Sequence, residues 1–389
     1  MRLAYLTTYD IFNRNTWSKN NTGLNSTGYY LANHLKQQSV DIDYIGPLEK
    51  KTSIVTRLKW SFYRKLKQKD YYRWAEPLIL KDYAKKASKK IAQFDSDIIF
   101  CPENAVPIAY LESDKPIVLY TDSTLAGLIG FYPWLDNICE ETKKNIYHLE
   151  KLALERCQLV VFPSDWAAQT AINVYQISPK KIKIVPWGAT VECDRTFEDI
   201  DKMIQNRPNL PCKLLFLGVD WVRKGGDIAL QVAKQLNQSG LATELTIVGC
   251  HPPASSNLPD FVNCLGFLKR NTELEKQQFN QLLANTHFLI LPSRAEAYGL
   301  VFCEANSFAT PCLATNVGGI PGVIRDDYNG KTFSLDASVS DYCQYIANLM
   351  SNYEEYQQLA FKSYAEYQSR LNWTVTSQKI QELLEGLLD

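Results

Sequence analysis

The sequence predicts an α/β protein built from two Rossmann-like, doubly wound parallel-sheet domains. Short apolar runs alternate with helical patterns along the whole chain, an order typical of parallel sheets covered by helices. The length of 389 residues exceeds what one hydrophobic core usually spans. Charge is divided unequally, because residues 1–190 hold 26 Lys and Arg against 19 Asp and Glu, whereas residues 191–389 hold 16 against 23. We therefore expect one domain at 1–190 and a second at 191–371.

The strands are predicted by continuous apolar runs, which are typical of buried parallel strands. In the first domain these runs are RLAYLTT, VDIDYIG, DSDIIFCP, PIVLYTD and LVVFPS. In the second domain, after a charged connector near residues 191–207, they are KLLFLG, ELTIVGC, FVNCLGF, HFLILPS and PCLAT. Patterns such as TGYYLANHLKQQ and GGDIALQVAKQLNQSG predict the helices between strands, and a last capped helix is expected over 372–389.

Composition narrows the class of protein. Apolar content of 46% and charged content of 22% are typical of a soluble globular protein. No apolar run reaches the ~18 residues of a membrane span, and the N-terminus becomes polar too quickly for a signal peptide. Ten cysteines without a C-x-x-C pair and only four histidines predict free thiols, no metal site and a cytoplasmic location. Zero net charge without a recognition motif argues against a nucleic-acid partner.

Two common nucleotide motifs are absent from the sequence. No G-x-G-x-x-G follows the first predicted strand, and no G-x-x-x-x-G-K-[ST] occurs anywhere. The alternating pattern is therefore not that of a nicotinamide or flavin dehydrogenase, nor that of a P-loop kinase.

The most informative stretch is 291–330, which contains Glu296 and Glu304 between two predicted strands. If both lay on one helix, eight steps of ~1.5 Å would separate their Cα atoms by roughly 12 Å. That separation argues against a proton-sharing dyad or a hydrolase pair at about 5–9.5 Å. We expect Glu296 in the loop and Glu304 inside the following helix, at the carboxyl end of a strand, where open α/β sheets bind ligands.

Two carboxylates at different heights suit a polyhydroxylated ligand, because each can accept several hydroxyl hydrogen bonds. The backbone amides of Tyr298, Gly299 and Leu300, at the start of the predicted helix, favour an anion such as a diphosphate. The spacing alone also fits two surface glutamates on an ordinary strand-loop-helix unit.

The sequence around Glu296 and Glu304 is more specific than their spacing. PSRAEAYGLVFCEA, then PCLATNVGGIP, then NG resembles the donor-site signature of family four retaining glycosyltransferases, which have the GT-B fold. The resemblance implies two domains facing a cleft, with the acceptor bound by 1–190, the donor bound by 191–371, and the last helix crossing back to the first domain. It places Glu296 beside the donor sugar and Glu304 on the ribose hydroxyls. The amides of the loop that includes Ala297 would then meet the sugar and the diphosphate.

A second motif, LFLGVDWVRKGGD, supplies candidate cations. Arg223 and Lys224 precede a helix opened by two glycines, and such a loop can hold a diphosphate through charge and amide donors. The family pattern usually reads G-R-x-x-x-x-K-G, so Lys224 matches the lysine whereas Val219 replaces the arginine. Arg223 is the candidate second cation, and a solvated basic loop is the alternative.

Three further donor or catalytic positions follow from the resemblance. The segment Ser26-Thr27-Gly28 is expected just before the first helix, near the donor phosphates, with Gly23 as second choice and a mobile surface loop as the alternative. Asp122 lies where relatives carry a histidine, and it is interpreted either as a hydroxyl ligand or as the cap of the following helix. Leu268 belongs to the loop expected to line the nucleotide base.

The stretch from 50 to 90 has no clear family role. It contains fourteen Lys or Arg, only three acids, and interleaved aromatics. Basic-aromatic helices can lie on an anionic bilayer, which would place the protein peripherally at the inner membrane face. They can equally be solvated helices over a core.

These observations predict a retaining glycosyltransferase. It would move a sugar from a UDP- or GDP-sugar to a hydroxyl acceptor that is a glycan, lipid-linked or a small molecule. The resemblance implies metal-independent front-side transfer, with no cofactor besides the donor substrate. Lys224, Glu296 and Asp122 are the catalytic candidates. The alternatives are another GT-B enzyme on nucleotide sugars, such as an epimerase, and a weakly active nucleotide-sugar-binding subunit.

Overall fold

A computed structural model describes residues 1–17, 22–50, 52–253, 258–268, 270 and 272–388. The chain forms two compact units. Unit 1 consists of residues 1–187 and 373–389, and unit 2 of residues 188–372. Within the described residues, no helix is long and apolar enough to cross a membrane.

Unit 1 contains a parallel six-stranded sheet in the order β2-β1-β3-β4-β5-β6. Its strands are β1 (Arg2–Tyr5), β2 (Asp41–Tyr44), β3 (Ile98–Cys101), β4 (Ile117–Tyr120), β5 (Leu159–Phe162) and β6 (Ile182–Ile184). Its helices are α1 (Thr22–Gln37), α2 (Ile54–Phe62), α3 (Pro77–Ile91), α4 (Leu125–Leu128), α5 (Glu140–Arg156) and α6 (Asp165–Tyr175).

Unit 2 also contains a parallel six-stranded sheet, in the order β12-β11-β10-β7-β8-β9. Its strands are β7 (Cys212–Leu217), β8 (Thr243–Val248), β9 (Val262–Gly266), β10 (Phe288–Leu291), β11 (Cys312–Thr315) and β12 (Gly330–Phe333). Its helices are α7 (Phe197–Gln205), α8 (Gly226–Gln238), α9 (Glu273–Ala284), α10 (Leu300–Asn306), α11 (Val339–Ser351) and α12 (Tyr353–Arg370).

The last helix, α13 (Trp373–Glu385), belongs to unit 1. It packs beside α1, and the amide of Gln38 donates a 2.7 Å hydrogen bond to the Ser377 hydroxyl. Leu384 and Ile380 are buried, so the apolar side of this helix forms part of the core of unit 1.

The predicted α/β class and both parallel sheets are confirmed, and all ten predicted strands are present. The sequence analysis missed one strand in each sheet, β6 and β12, and both lie at a sheet edge. Lys183 and Ile184 of β6 are exposed, because an edge strand needs no apolar surface on its open side. Neither strand therefore carries the continuous apolar run that identified the others.

The strand order of the unit 2 sheet reverses between β7 and β10. Counted within the unit, its order is the 3-2-1-4-5-6 of a dinucleotide-binding fold, in which ligands bind where the strand order reverses. The loops that follow β7 and β10 therefore bound the expected ligand position.

Candidate functional site

The loop after β10 places the two signature glutamates as predicted. Glu296 lies in this loop and Glu304 lies inside α10. Gly299, just before α10, has φ +94°, and a Cβ atom there would lie 2.5 Å from the Phe302 ring. Gly319, from the motif PCLATNVGGIP, donates its N–H to the Glu296 carbonyl at 3.0 Å. The second part of the signature thus holds the backbone of the first.

The loop after β7 packs directly against the loop after β10. Gly225 has φ +74°, and a Cβ atom there would lie 2.0 Å from the Pro292 carbonyl oxygen. Between the same two loops, the Arg294 N–H donates to the Arg223 carbonyl at 2.7 Å. Only glycine allows this approach, and the approach delivers Lys224 to Glu296.

Two cations converge on the Glu296 carboxylate. Lys224 Nζ donates to Glu296 Oε2, and Arg223 Nη1 lies 3.7 Å from the same oxygen. Arg223 also donates to the Ala295 carbonyl at 2.9 Å, which holds its guanidinium in place. Lys224 and Glu296 are only 8% and 7% exposed. Burial lowers the pKa of Lys224, whereas the charge of Glu296 opposes that shift.

Glu304 has its own set of partners. The Thr190 hydroxyl and Arg270 Nη1 both donate to Glu304 Oε1, the latter at 2.8 Å. The Arg270 guanidinium lies 4.7 Å from the centre of the Phe279 ring, a favourable cation–π distance. The Glu304 side chain is buried while the Arg270 side chain is 32% exposed, so the arginine covers the outer side of the carboxylate.

The sequence analysis missed Thr190 and Arg270. Thr190 was included in VPWGAT, which was interpreted as structural, and its partner Glu304 is 114 residues away. Arg270 follows Leu268 by two positions, and a cation directly after the predicted base loop was the available signal.

The remaining donor candidates of unit 2 surround these pairs. Leu268 is half-buried and lies between β9 and α9. Ala297 and Tyr298 are buried in the loop beside Glu296, and Leu300 is the first residue of α10. Unit 2 therefore offers two carboxylates, three buried or part-buried cations and a loop of backbone amides near the reversal point of one sheet.

In unit 1, Asp122 follows β4 as predicted, but its interpretation as a helix cap is wrong. The cap of α4 is Thr124, whose hydroxyl accepts the Gly127 N–H at 3.0 Å. Asp122 is half-buried and accepts a 3.0 Å hydrogen bond from Ser123. Its interpretation as a hydroxyl ligand stays a prediction.

The position expected for Gly28 is also wrong. Helix α1 begins at Thr22, so Ser26-Thr27-Gly28 lies inside the helix rather than before it. The Gly28 carbonyl accepts from Tyr5 at 2.7 Å, and a Cβ atom at Gly28 would lie 3.0 Å from Ile11. Gly28 therefore serves close packing of α1 on unit 1. Gly23 lies in the first turn of α1 and is exposed, while 18–21 of the predicted loop fall outside the described residues.

Two buried glutamates of unit 1 were not predicted. Glu103 follows β3 and accepts the Thr8 N–H at 2.7 Å and the Thr8 hydroxyl at 2.6 Å. Glu150, on α5, accepts the Leu125 and Ala126 amides and the Tyr175 hydroxyl. Burial raises the pKa of each carboxyl to about 7. Glu103 directly follows a strand end, as Glu296 does, and this position was the sequence signal that could have identified it.

The described residues contain no group of three or more His, Cys, Asp or Glu side chains that could hold a metal ion. All ten cysteines are free thiols.

Two family models match the chain, one in each half. Residues 22–192 match the model described as Glycosyltransferase Family 4, and residues 211–352 match the model described as Glycosyl transferases group 1. Among curated relatives, a D-inositol 3-phosphate glycosyltransferase of Mycobacterium marinum is 25% identical over 237 residues. The match covers 59% of this chain and 50% of that relative, so the chain spans half of the relative's length.

Solved structures share the fold across nearly the whole chain. Sucrose-phosphate synthase from Thermosynechococcus elongatus has a TM-score of 0.71 at 14% identity, with 100% of this chain and 98% of that chain covered. Anabaena HepE in complex with UDP-glucose has a TM-score of 0.62 at 16% identity, with 99% and 100% covered. These neighbours are GT-B glycosyltransferases, and the chain has the GT-B fold.

Proposed function

The chain belongs to glycosyltransferase family 4, and on that premise we propose that it transfers a sugar from a nucleotide-sugar donor to a hydroxyl acceptor. The observation that carries the proposal is the convergence of Lys224 and Arg223 on Glu296 at the reversal point of the unit 2 sheet. Open α/β sheets bind nucleotides at that point. The UDP-glucose bound to HepE supports a nucleotide sugar as the donor, and both UDP- and GDP-sugars are included in the proposal.

The donor diphosphate would take over the cations that now hold Glu296. Lys224 is buried and its pKa is lowered by that burial, so its ammonium gains stability when a second anion arrives. Arg223 lies close enough to join it and would stand in for the arginine that Val219 replaces. Once the cations turn to the diphosphate, the Glu296 carboxylate is released to accept hydrogen bonds from the sugar hydroxyls.

Glu304 would bind the ribose hydroxyls of the nucleotide. Its Oε1 atom already accepts from Thr190 and Arg270, so the carboxylate is oriented before a ligand binds. Preorganised groups of this kind lose little entropy on binding. Leu268 would border the base, and the amides from Ala297 to Leu300 would meet the sugar and diphosphate.

We assign the chemistry to front-side transfer with retention of anomeric configuration. The bond from the anomeric carbon to the diphosphate oxygen breaks, and the acceptor oxygen bonds to the same face of the sugar. The acceptor proton passes to the departing diphosphate. Lys224 and Arg223 supply the positive charge that this leaving group needs, so the proposed reaction requires neither a bound metal nor a cofactor. Asp122, in unit 1, is proposed to hold an acceptor or donor hydroxyl.

The test is turnover with a panel of UDP-, GDP- and ADP-sugars and hydroxyl acceptors, before and after treatment with a chelator. A glycoside of unchanged anomeric configuration, formed equally well after chelation, would support sugar transfer, retention and metal independence. Free nucleotide and an epimerised sugar without a glycoside would support the epimerase alternative. Donor binding without any product would support a nucleotide-sugar-binding subunit. The reduced state of ten free cysteines supports action in the cytoplasm.

A further inference from the structure

The outer face of helix α2 in unit 1 is apolar. Ile54, Leu58 and Phe62 are four residues apart, and therefore lie along one side of the helix. Val55 is exposed beside them, and Leu66 is exposed in the π-helical turn that extends α2. Ile54, Leu58 and Leu66 are 76%, 66% and 73% exposed, so this stripe is not buried within the chain that the structure describes.

The inner face of the same helix is polar. Thr56 is buried and accepts a 3.1 Å hydrogen bond from Arg73. Lys59 forms ion pairs with Glu76 and Glu141, and the hydroxyl of Tyr63, just after α2, donates to Glu141 at 2.9 Å. The helix is thus held on unit 1 by hydrogen bonds and ion pairs, with its apolar stripe turned outward. This arrangement is the reverse of a helix that covers a core.

Positive charge borders the apolar stripe. Residues 52–75 contain seven Lys or Arg and one acid. Arg57, Arg64 and Lys65 are exposed, and the Arg64 guanidinium lies 5.5 Å from the centre of the exposed Trp60 ring. An apolar stripe flanked by cations and tryptophan is the composition of a helix that lies in a membrane interface.

The structure distinguishes the two alternatives for residues 50–90, a membrane-surface helix and a solvated helix over a core. Helix α3 buries Ile79, Leu80, Tyr83 and Ala87, so it is a solvated helix over a core. Helix α2 buries none of its large apolar side chains. Among the described residues of this stretch, the exposed apolar stripe and the cations therefore coincide on α2 and the π-helical turn Tyr63–Lys67.

We propose that this face of α2 docks on an anionic bilayer surface, with its apolar stripe entering the interface and its cations meeting the lipid headgroups. Charge complementarity selects this occupant: residues 52–75 hold seven cations and one acid, and the exposed apolar stripe lies beside these cations, a combination that an anionic lipid interface matches in both respects. None of these side chains belongs to the donor site, and the docking does not depend on the proposed transfer.

The test is flotation of the full chain with vesicles of phosphatidylcholine, alone or mixed with phosphatidylglycerol. We expect the protein to float with the anionic vesicles, to remain unbound with the neutral ones, and to dissociate as salt increases. The variant Ile54→Gln/Leu58→Gln/Leu66→Gln should bind the anionic vesicles at least about tenfold more weakly, because its side chains no longer bury apolar surface among the lipid acyl chains. These side chains are exposed, so folding should be preserved.

A matched control is available in unit 2. Leu274 and Leu335 are 66% and 61% exposed, close to the exposure of the stripe. The variant Leu274→Gln/Leu335→Gln should float like the wild type, and both variants should keep the circular dichroism spectrum of the folded wild type. Equal flotation with neutral and anionic vesicles, or wild-type flotation of the stripe variant, would overturn the proposal. So would light scattering that shows a wild-type dimer which the stripe variant dissociates, with no vesicle binding by either.

Discussion

Each unit places a glutamate at the point where its strand order reverses, yet the two glutamates have opposite surroundings. In unit 1 the reversal lies between β1 and β3, and Glu103 after β3 accepts two hydrogen bonds from Thr8 after β1. In unit 2 it lies between β7 and β10, and Glu296 after β10 meets Lys224 and Arg223 from the loop after β7. Among the described residues, no Lys or Arg forms an ion pair with Glu103.

The difference shows how one sheet plan can serve two chemistries. A buried carboxylate without a cation is destabilised in its charged form, and burial raises the pKa of Glu103 to about 7. At Glu296 two cations face the buried carboxylate, and these cations can exchange it for another anion. The unit 2 reversal point is therefore suited to a charged diphosphate, whereas the unit 1 reversal point presents a carboxyl that is half-protonated near neutral pH.

The largest expected effect comes from replacing Lys224, the cation of unit 2 that has no counterpart beside Glu103 in the described part of unit 1. Lys224→Met should lower kcat roughly 10²–10³-fold, since one preorganised charge on the leaving group is lost. It should also destabilise unit 2, by less than the about 3–5 kcal/mol expected when a buried pair is fully broken, because Glu296 loses Lys224 but keeps Arg223 at 3.7 Å. The measurements are steady-state turnover and thermal melting.

A second variant tests whether Lys224 acts only as the ion-pair partner of Glu296. Lys224→Met/Glu296→Gln removes both charges, so it should regain most of the lost stability while turnover stays low. Recovery of turnover together with stability would mean that Lys224 acts only as the structural partner of Glu296. Lys202→Met, an exposed lysine of the same unit, is the control.

The next effect tests the carboxyl without a cation. Glu103 has a folded pKa of about 7 against an ordinary value of 4.5, so the unfolded chain releases its proton first as pH rises. The stability that Glu103 contributes is complete below pH 4.5 and is lost as pH rises through 7. Glu103→Gln should remove that slope and be more stable than the wild type at pH 8 by up to about 3 kcal/mol.

Glutamine fits this position because its amide resembles the protonated carboxyl. Its oxygen can accept the Thr8 N–H while its NH₂ group donates to the Thr8 hydroxyl. Urea unfolding at several pH values, followed by tryptophan fluorescence, reports mainly on unit 1, where all tryptophans except Trp221 lie. A variant less stable than the wild type at pH 8 would show that the charged carboxylate is satisfied at Thr8.

A smaller effect is expected at the second carboxylate of unit 2. Glu304→Gln should weaken binding of a nucleotide sugar by about 1.5–3 kcal/mol, the usual contribution of hydrogen bonds to a charged group. Glu366→Gln is the matched control, because Glu366 is also buried in unit 2 and paired with arginines, but on α12. If calorimetry finds equal donor affinity for both variants, Glu304 does not bind the ribose.

The smallest effect separates two neighbouring arginines. Arg223 lies 3.7 Å from Glu296, whereas the exposed Arg294 pairs with Asp227 at 2.8 Å. Arg223→Ala should lower kcat/KM roughly fivefold, which corresponds to about 1 kcal/mol, because a part-buried charge is lost. Arg294→Ala should change it less than twofold. Equal kinetics of the two variants would assign the diphosphate to Lys224 alone.

Local pattern was sufficient for the α/β class, for ten of the strands and for the positions of Glu296 and Glu304, but not for the partners of these two carboxylates. Continuous apolar runs identify central strands, and the signature contains Glu296, Glu304 and their glycines within forty residues. Helix α1 shows where pattern is insufficient. Its start is rich in Gly, Asn and Ser, which disfavour helix, but Tyr9 donates to the Leu24 carbonyl and Tyr5 to the Gly28 carbonyl. Tertiary packing thus starts the helix earlier than propensity predicts.

The partners of the buried carboxylates could not be predicted for a related reason. Thr190 is 114 residues from Glu304, and Thr8 is 95 residues from Glu103. Each contact arises because parallel strands bring distant loops to one edge of a sheet, and nothing in the local sequence records which loops will meet.

The most direct test of the account is a crystal structure of the protein with UDP or GDP bound. The account predicts a diphosphate in the loop between β7 and α8, with Lys224 Nζ within hydrogen-bond distance of a phosphate oxygen and separated from Glu296. A nucleotide bound elsewhere, with the Lys224–Glu296 ion pair intact, would contradict it.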